Sequence, residues 1–289
     1  MILALIFLFM NKYFECGRYR FQLDGDQYKP LVMGILNVTP DSFSDGGQFQ
    51  LLDGAISHAE QMIRDGVDII DIGGESSRPG AKSIPLDEEL RRVMPVIYAL
   101  RDCGKPLSID TCKPEVMREA ILAGADMIND IKGFSSSESK NAVLDSNVGL
   151  CIMHMQSTPS DMQLKPDYQN VNSEVSDFLR QRIEEFELAG VHRNRICIDP
   201  GFGFGKTLAH NISMLRHINA YQLELGLPLL AGVSRKSMIG EITGKPIEKR
   251  MAGSLAAALA ALEQGAKIVR VHDVAETVDA IKVWQVLSN

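Results

Sequence analysis

The residues best able to do chemistry are polar side chains that each follow a short apolar run. Carboxylate and amide side chains form hydrogen bonds along the edge of a planar group. Lysine, arginine and histidine meet negative charge, and the flat guanidinium of arginine can also lie against a ring. Brought together, they would form a polar binding site that also meets an anionic substrate. They are Asn37, Asp110, Asn129, Asp199, Lys236, Arg270 and His272.

The elements that must position these residues follow a regular alternation. Short β-branched or apolar runs alternate with longer amphipathic stretches, which predicts strands followed by helices. The predicted strands are 31–36, 67–72, 106–109, 126–129, 149–154, 195–198, 229–233 and 267–271. The predicted helices are 53–64, 87–101, 114–123, 138–146, 171–189, 210–220, 248–264 and 274–286. Eight such units predict a single (β/α)8 TIM barrel that takes in residues 1–289 as one domain.

Polar or glycine-rich segments follow all eight predicted strands. These segments are 37–47, 73–80, 110–113, 129–130, 154–156, 199–206, 234–237 and 270–273. Barrel enzymes build their active sites at the C-terminal ends of the strands. We therefore expect the active site at that end of the barrel.

Composition limits the partners and the compartment. The 30 basic and 37 acidic residues give a net charge of −7, and neither sign runs in blocks that would mark a nucleic-acid or membrane surface. The five cysteines are odd in number and form no CxxC pair, which favours free thiols in the cytoplasm over a disulfide framework. The histidines and cysteines also lack the close pairing of a zinc site.

The first ten residues are apolar but fit neither a signal peptide nor a membrane anchor. They contain no basic region and no small-residue cleavage site, and they are shorter than the ~20 residues of a membrane helix. Residues 1–9 are either a loose arm or an extension before a true start at Met10. The sequence leaves this choice open.

Five of the segments carry a specific resemblance. Residues 33–46, 71–81, 199–206, 234–240 and 270–274 resemble, in order, the motifs of the dihydropteroate synthase family of pterin-binding barrels. The resemblance extends from about Met10 to the end of the chain. Two departures are Ser77, where the family usually has threonine, and Cys112, at a position that varies. Neither removes a functional group that the chemistry needs.

The resemblance implies a pterin pocket. Asp110, Asn129 and Asp199 would form its floor and pair with the ring's donors and acceptors. Lys236 would donate to the ring carbonyl and a ring nitrogen. Arg270 would place its guanidinium on the ring face.

The resemblance also implies a reaction. The family joins a dihydropterin methyl diphosphate to p-aminobenzoate and releases pyrophosphate, with Mg²⁺ as cofactor. Asn37 would help to hold Mg²⁺, and His272 and Ser77 would bind the pterin diphosphate together with Arg270. Asn37, Lys236, Arg270 and His272 are the expected catalytic residues, and no protein nucleophile is required.

The p-aminobenzoate site and a lid are expected from the first two loops and two later strand ends. Phe43 and Arg78 lie in loops suited to close over substrate, and Pro79 and Phe204 would line the aromatic ring. Ser237 begins a segment whose backbone N–H groups would face the carboxylate. Sulfonamides would compete there, and family members are commonly homodimers.

Two other functions stay open. A barrel that binds methyltetrahydrofolate and passes its methyl group to a corrinoid would share Asp110, Asn129 and Asp199, but it has no use for the complete first two loops. The other is a non-catalytic paralogue that binds a pterin or serves as a partner subunit, and the joint presence of Asn37, Arg78, Lys236, Arg270 and His272 argues against lost chemistry. Pyrophosphate release would distinguish the three.

Overall fold

Strands and helices alternate along most of the chain. The computed structural model describes residues 12–25, 28–39, 48–78 and 80–288, with only the backbone for 48–50. The strands are β1 (Tyr13–Cys16), β2 (Tyr19–Gln22), β3 (Leu31–Asn37), β4 (Ile69–Gly73), β5 (Leu107–Asp110), β6 (Met127–Asp130), β7 (Gly149–Met153), β8 (Ile196–Asp199), β9 (Leu230–Ala231) and β10 (Ile268–Val271). The helices are α1 (Gln48–Arg64), α2 (Leu86–Leu100), α3 (Pro114–Ala123), α4 (Ser137–Asn141), α5 (Val171–Leu188), α6 (Leu208–Arg216), α7 (Ile218–Leu225), α8 (Ser237–Thr243), α9 (Met251–Glu263) and α10 (Val274–Ser288).

Strands β3 to β10 form one parallel sheet that closes on itself. Their order is β8-β7-β6-β5-β4-β3-β10-β9. At the remaining edge, Ile198 of β8 forms a parallel bridge with Leu229, the residue before β9. The Ile198 N–H also donates to the Pro228 carbonyl at 3.0 Å. The predicted (β/α)8 barrel is therefore confirmed.

Side chains alternate between the two faces of each barrel strand. Ile70 and Ile72 pack in the large core between strands and helices, whereas Ile69 belongs to the smaller core inside the barrel. Four alternate strands carry an apolar inner residue followed, two positions on, by a polar one. These pairs are Ile69 and Asp71, Met127 and Asn129, Cys197 and Asp199, and Ile268 and Arg270. The barrel interior is thus apolar at its N-terminal end and polar at its C-terminal end.

A hairpin of β1 and β2 covers the N-terminal end of the barrel. The two strands pair antiparallel, and Phe14 and Cys16 are completely buried in the inner core. Gly17 turns the chain with a φ of +58°, where a Cβ would lie 2.7 Å from the Asp126 backbone. Arg18 then pairs with Asp126 at 2.8 Å. The sequence predictions did not include this hairpin.

The helices differ from their predicted bounds in several places. Helix α1 begins at Gln48 rather than at residue 53, and α4 ends at Asn141 rather than at residue 146. The predicted helix 210–220 is two helices, α6 and α7, which meet at His217. The predicted helix 248–264 begins at Met251, after a 3-10 turn at Ile247–Lys249. Helix α8 was not predicted, and it ends where Gly244 adopts a φ of +67°. None of the helices in the described part of the chain is long and apolar enough to cross a membrane.

Candidate active site

Arg270 lies at the centre of the polar end of the barrel. Its Nε donates to Asp71 Oδ2 at 2.6 Å, and its Nη2 donates to Asp110 Oδ2 at 2.8 Å. Asn129 donates from Nδ2 to the same Asp71 oxygen at 3.2 Å. Asp71, Asn129 and Arg270 come from β4, β6 and β10, and alternate strands supply one layer of side chains inside such a barrel. The structure thus brings three predicted site residues into one network with Asp71.

Asp199 and Lys236 lie on the other side of Arg270. A Cβ on Gly232 would lie 3.7 Å from Asp199 Oδ2, 3.9 Å from Lys236 Nζ and 4.0 Å from Arg270 Cβ. Glycine therefore leaves the space between the three side chains open. Asp199 is held by the Gly201 N–H, which donates to Oδ1 at 2.7 Å.

Burial shifts the pKa of both the acids and the base of this site. Desolvation raises the pKa of Asp110 to about 7, although the positive charge of Arg270 acts in the opposite direction. Burial likewise raises the pKa of Asp199. The pKa of Lys236 is lowered to about 8, again mainly by burial. Asp110 and Lys236 consequently change charge near neutral pH, where a ligand can decide which form prevails.

His272 is a neutral imidazole held by Ser234. Its backbone N–H donates to Ser234 Oγ at 3.2 Å, and the same hydroxyl lies 3.0 Å from the ring Nδ1. Burial, followed by the charges of Arg270 and Arg235, lowers the pKa of His272 to about 4. When the Ser234 hydroxyl donates its proton to Nδ1, the ring proton lies on Nε2. Nε2–H is then free of the Ser234 contact and can donate to a ligand.

Asn37 ends β3 next to Asp110. A Cβ on Gly73 would lie 3.6 Å from Asn37 Oδ1 and 3.8 Å from Asp110 Cβ. In the described part of the chain, no group of three or more histidine, cysteine, aspartate or glutamate side chains could hold a metal ion. A single amide oxygen fits Mg²⁺ that takes its other ligands from phosphate and water, and it does not fit an all-protein cage.

The loop after β4 borders a cavity beside Asp110. The cavity is lined by Glu75, Ser76, Ser77, Glu89, Asp110, Thr111, Cys112 and Ile131. Lys113 Nζ forms ion pairs with both Glu75 and Glu89. Glu75 also accepts a hydrogen bond from the Ile84 N–H at 3.1 Å. Glu75, at the start of the loop, is therefore joined both to Lys113 and to the end of the loop at Ile84. Further along it, the Gly80 N–H donates to the Pro159 carbonyl at 2.8 Å.

The residues predicted for p-aminobenzoate are only partly described. Arg78 is exposed, and its charge contributes to the lowered pKa of His272, which places it on the His272 side of the site. Phe204 is half-buried, with its ring centroid 4.3 Å from Lys236 Nζ. Ser237 is exposed at the first position of α8. Phe43 and Pro79 lie outside the described residues. The roles of all five stay predictions.

A buried lysine supports the loop that carries Phe204. Lys206 Nζ donates to the Phe204 carbonyl at 2.9 Å and lies 3.0 Å from His154 Nδ1. The backbone carbonyl of Phe202, in the same loop, accepts from Lys236 Nζ. Burial lowers the pKa of Lys206 to about 7. The loop is therefore fixed between two lysines.

Three residues that contribute to the site were not among the site residues predicted from the sequence. Asp71 is completely buried and contacts both Arg270 and Asn129. Ser234 orients His272, and Lys113 fastens the loop after β4. Asp71 carried a signal in the sequence, because an aspartate inside the apolar run Ile69-Ile-Asp-Ile72 requires a polar partner.

Comparison with known proteins agrees with this geometry. A family described as pterin binding enzyme matches residues 33–272. Dihydropteroate synthase of Neisseria meningitidis serogroup C is 48% identical over 277 residues, which cover 94% of this chain and 96% of that protein. The Burkholderia cenocepacia dihydropteroate synthase structure complexed with 7,8-dihydropteroate is 49% identical, with a TM-score of 0.86 over 96% of this chain and 97% of that one.

The Xanthomonas albilineans dihydropteroate synthase structure with 4-aminobenzoic acid is also 49% identical, with a TM-score of 0.88 over 96% of this chain and 98% of that one. The fold, the family match and the polar end of the barrel define a pterin-binding enzyme. Within that class, the chain belongs to the dihydropteroate synthase family.

Proposed function

We propose that the chain condenses (7,8-dihydropterin-6-yl)methyl diphosphate with p-aminobenzoate to give 7,8-dihydropteroate and pyrophosphate. The observation that carries the proposal is the network around Arg270. It joins buried acceptors, Asp71 and Asp110, to a guanidinium at the open end of the barrel. The relatives that match nearly the whole chain bear the name of this activity.

The pterin would bind between the acceptors and the two cations. Asp110, Asn129 and Asp199 would meet the donors on the ring edge, because buried donors without partners are costly. Lys236 would donate to the ring carbonyl. Arg270 would lie against the ring face while Asp71 holds its Nε.

The departing diphosphate would lie towards His272. The neutral ring of His272 can donate from Nε2, and the charges of Arg270 and Arg78 act on the same ring. Ser77 would add a hydroxyl donor to the diphosphate. Asn37 would be the protein ligand of Mg²⁺, which when bound neutralises charge on the diphosphate oxygens.

The reaction needs orientation more than covalent help from the protein. The aniline nitrogen attacks the methylene carbon, the carbon–oxygen bond to the diphosphate breaks, and the nitrogen loses a proton. Positive charge that develops on the methylene group spreads into the ring, where the carboxylates stabilise it. Arg270 and His272 stabilise the negative charge that leaves with pyrophosphate.

Binding of p-aminobenzoate should depend on the first ligand. The proposed slot combines Phe204, Ser237 and Arg78 with Phe43 and Pro79 of the first two loops, and it would also take sulfonamides. We therefore expect p-aminobenzoate to bind tightly only when pyrophosphate and Mg²⁺ are present. Calorimetric titration with and without pyrophosphate measures this, and equal affinity in the two titrations would contradict ordered binding.

We also propose a homodimer in the cytoplasm. Helix α10 exposes Val283, Val286 and Leu287, with 60%, 78% and 80% of their surfaces accessible, which supports a surface that a second copy covers. All five cysteines are free thiols, which supports a reducing compartment. Sedimentation of the wild type and of Val286→Glu tests the dimer: only the wild type should sediment as two chains.

Pyrophosphate release tests the activity directly. The chain is mixed with the pterin diphosphate, Mg²⁺ and p-aminobenzoate, and pyrophosphate and dihydropteroate are measured together. Equal amounts of the two are expected. Omission of p-aminobenzoate is the control for hydrolysis. Methyl transfer from methyltetrahydrofolate to a corrinoid, or pterin binding without turnover, would support the alternative functions instead.

A further inference from the structure

We infer that Asp71 is a positioning residue that determines which ring the site accepts, by fixing the orientation of Asn129 and Arg270. The inference rests on the proposed function, because it concerns the pterin pocket of that reaction. Asp71 itself contacts the two residues that are expected to contact the ring, and it acts through them.

One carboxylate oxygen serves both neighbours. Asp71 Oδ2 accepts from Arg270 Nε at 2.6 Å and from Asn129 Nδ2 at 3.2 Å. Asp71 lies in the middle of β4 and has no accessible surface. Its inward direction is set by strand alternation, because Ile70 and Ile72 on either side pack in the outer core. The carboxylate therefore has little freedom to move away from its neighbours.

The contact determines which end of the Asn129 amide faces a ligand. An ionised carboxylate only accepts hydrogen bonds, so Asn129 must turn its NH2 group towards Asp71. The carbonyl Oδ1 is then the part of the amide that remains for the ligand. With the carboxylates of Asp110 and Asp199, the site presents a row of acceptors to the ring edge. A matching ligand must present donors there.

The same contact keeps Arg270 in place when a ligand arrives. Arg270 holds Asp110 through Nη2 and Asp71 through Nε, so its two contacts use different nitrogens. Ring donors that bind Asp110 would replace only the Nη2 contact. Asp71 would still hold the guanidinium plane, which a lysine at position 270 could not reproduce.

The consequence is selectivity for an amino group on the ring edge. A pterin carries an amino group on its guanidine edge, whereas the corresponding dioxo ring, a lumazine, carries an oxygen at that atom. An oxygen opposite the Asn129 carbonyl and the neighbouring carboxylates would find no donor, which a buried site penalises strongly. In Asp71→Asn, the side-chain oxygen must stay opposite Arg270 Nε, where it is a neutral and weaker acceptor for the Asn129 NH2 group. Asn129 is then held less firmly, so it can rotate and offer its NH2 group to the oxygen of the lumazine.

The experiment measures binding of 6-hydroxymethylpterin and of the matching lumazine by calorimetry. Wild type, Asp71→Asn, Asn129→Ala and the double variant are compared through the ratio of the two dissociation constants. Asp126→Asn is the matched control, because Asp126 is a buried carboxylate that pairs with Arg18 at 2.8 Å at the opposite end of the barrel. A loss of stability alone would affect both aspartate variants and leave the ratio unchanged.

We expect the wild type and Asp126→Asn to prefer the pterin, and Asp71→Asn to reduce that preference at least about tenfold. In the Asn129→Ala background, Asp71→Asn should have no further effect on the ratio. An unchanged ratio in Asp71→Asn would overturn the inference. If Asp71→Asn does not fold, Asn129→Ala decides the matter. A preference for the pterin as large in Asn129→Ala as in the wild type would also overturn the inference. Turnover is measured separately. A wild type that prefers the pterin over the lumazine but releases no pyrophosphate would contradict only the proposed function.

Discussion

Removal of Arg270 should affect stability and pterin binding in a way that depends on pH. Arg270→Ala leaves Asp71 and Asp110 buried without their shared partner. Breaking a buried ion pair on one side typically costs about 3–5 kcal/mol of folding free energy. The affinity for a pterin without phosphates should fall as well, because the guanidinium that we propose to lie against the ring is gone.

The pH dependence follows from Asp110. Its pKa in the folded protein is raised to about 7 from 3.8, so the folded state binds the extra proton between these values and stability falls as pH rises through them. Without Arg270 that pKa moves higher still. Near pH 5 Asp110 is protonated with or without Arg270, and only the Asp71 contact is lost. The destabilisation should therefore be larger at about pH 8 than at about pH 5.

Urea unfolding at the two pH values measures the effect, and Arg270→Lys is the matched variant. A lysine keeps the charge but cannot reach both carboxylates with two nitrogens, so it should recover part of the stability and little of the pterin affinity. An equal loss of stability at both pH values would refute the assignment to Asp110. Unchanged affinity for phosphate-free pterin in Arg270→Ala would refute the contact with the ring.

Two further variants separate the remaining roles. His272→Ala should weaken binding of the pterin diphosphate and leave binding of the phosphate-free pterin unchanged, because we propose that His272 contacts only the diphosphate. Calorimetry measures both ligands, and an equal loss of affinity for the two would mean that His272 shapes the pterin pocket instead. Lys113→Met should raise the KM for p-aminobenzoate, since the loop after β4 loses its ion pairs with Glu75 and Glu89. Lys29→Met is its control, because Lys29 pairs with Asp68 away from the site, and a similar rise in KM there would reject the role of Lys113.

The sequence was sufficient to predict the barrel because its strands are buried on both faces. Such strands appear as continuous apolar runs, and all eight lie within three residues of their predicted bounds. The hairpin of β1 and β2 was not predictable in the same way. Each strand has four residues, and only Phe14 and Cys16 of β1 are buried, so the pattern is too short to stand out.

The sequence predicted the site residues that lie at the end of a strand. It did not predict the polar residue that lies within a strand. Asp110, Asn129 and Asp199 were recognised because they follow or end an apolar run, and the structure places them at the polar end of the barrel. Asp71 lies two residues before the end of β4, within an apolar run, and was not predicted as a site residue. Its partners Arg270 and Asn129 are distant in the sequence, so only the closed barrel reveals the contact.

The arrangement of charges leads to a last prediction, about protons released on binding. In the free site, Asp110 has a pKa of about 7 and is protonated in much of the protein at neutral pH. A pterin that donates hydrogen bonds to this carboxylate stabilises its ionised form and lowers its pKa, so binding must expel a proton at and below about pH 7. The contribution of Asp110 should therefore make the affinity for phosphate-free pterin rise with pH up to that value and add nothing further above it.

Calorimetry in buffers of different ionisation enthalpy counts the protons directly. We expect a proton release that is largest below about pH 7 and absent in Asp110→Asn, which keeps the shape of the side chain but cannot ionise. Asp68→Asn, a buried carboxylate that pairs with Lys29 away from the site, should leave the release unchanged. Release of the same size in Asp110→Asn would mean that another group titrates, and Asp199, whose pKa burial also raises, would be the next to replace.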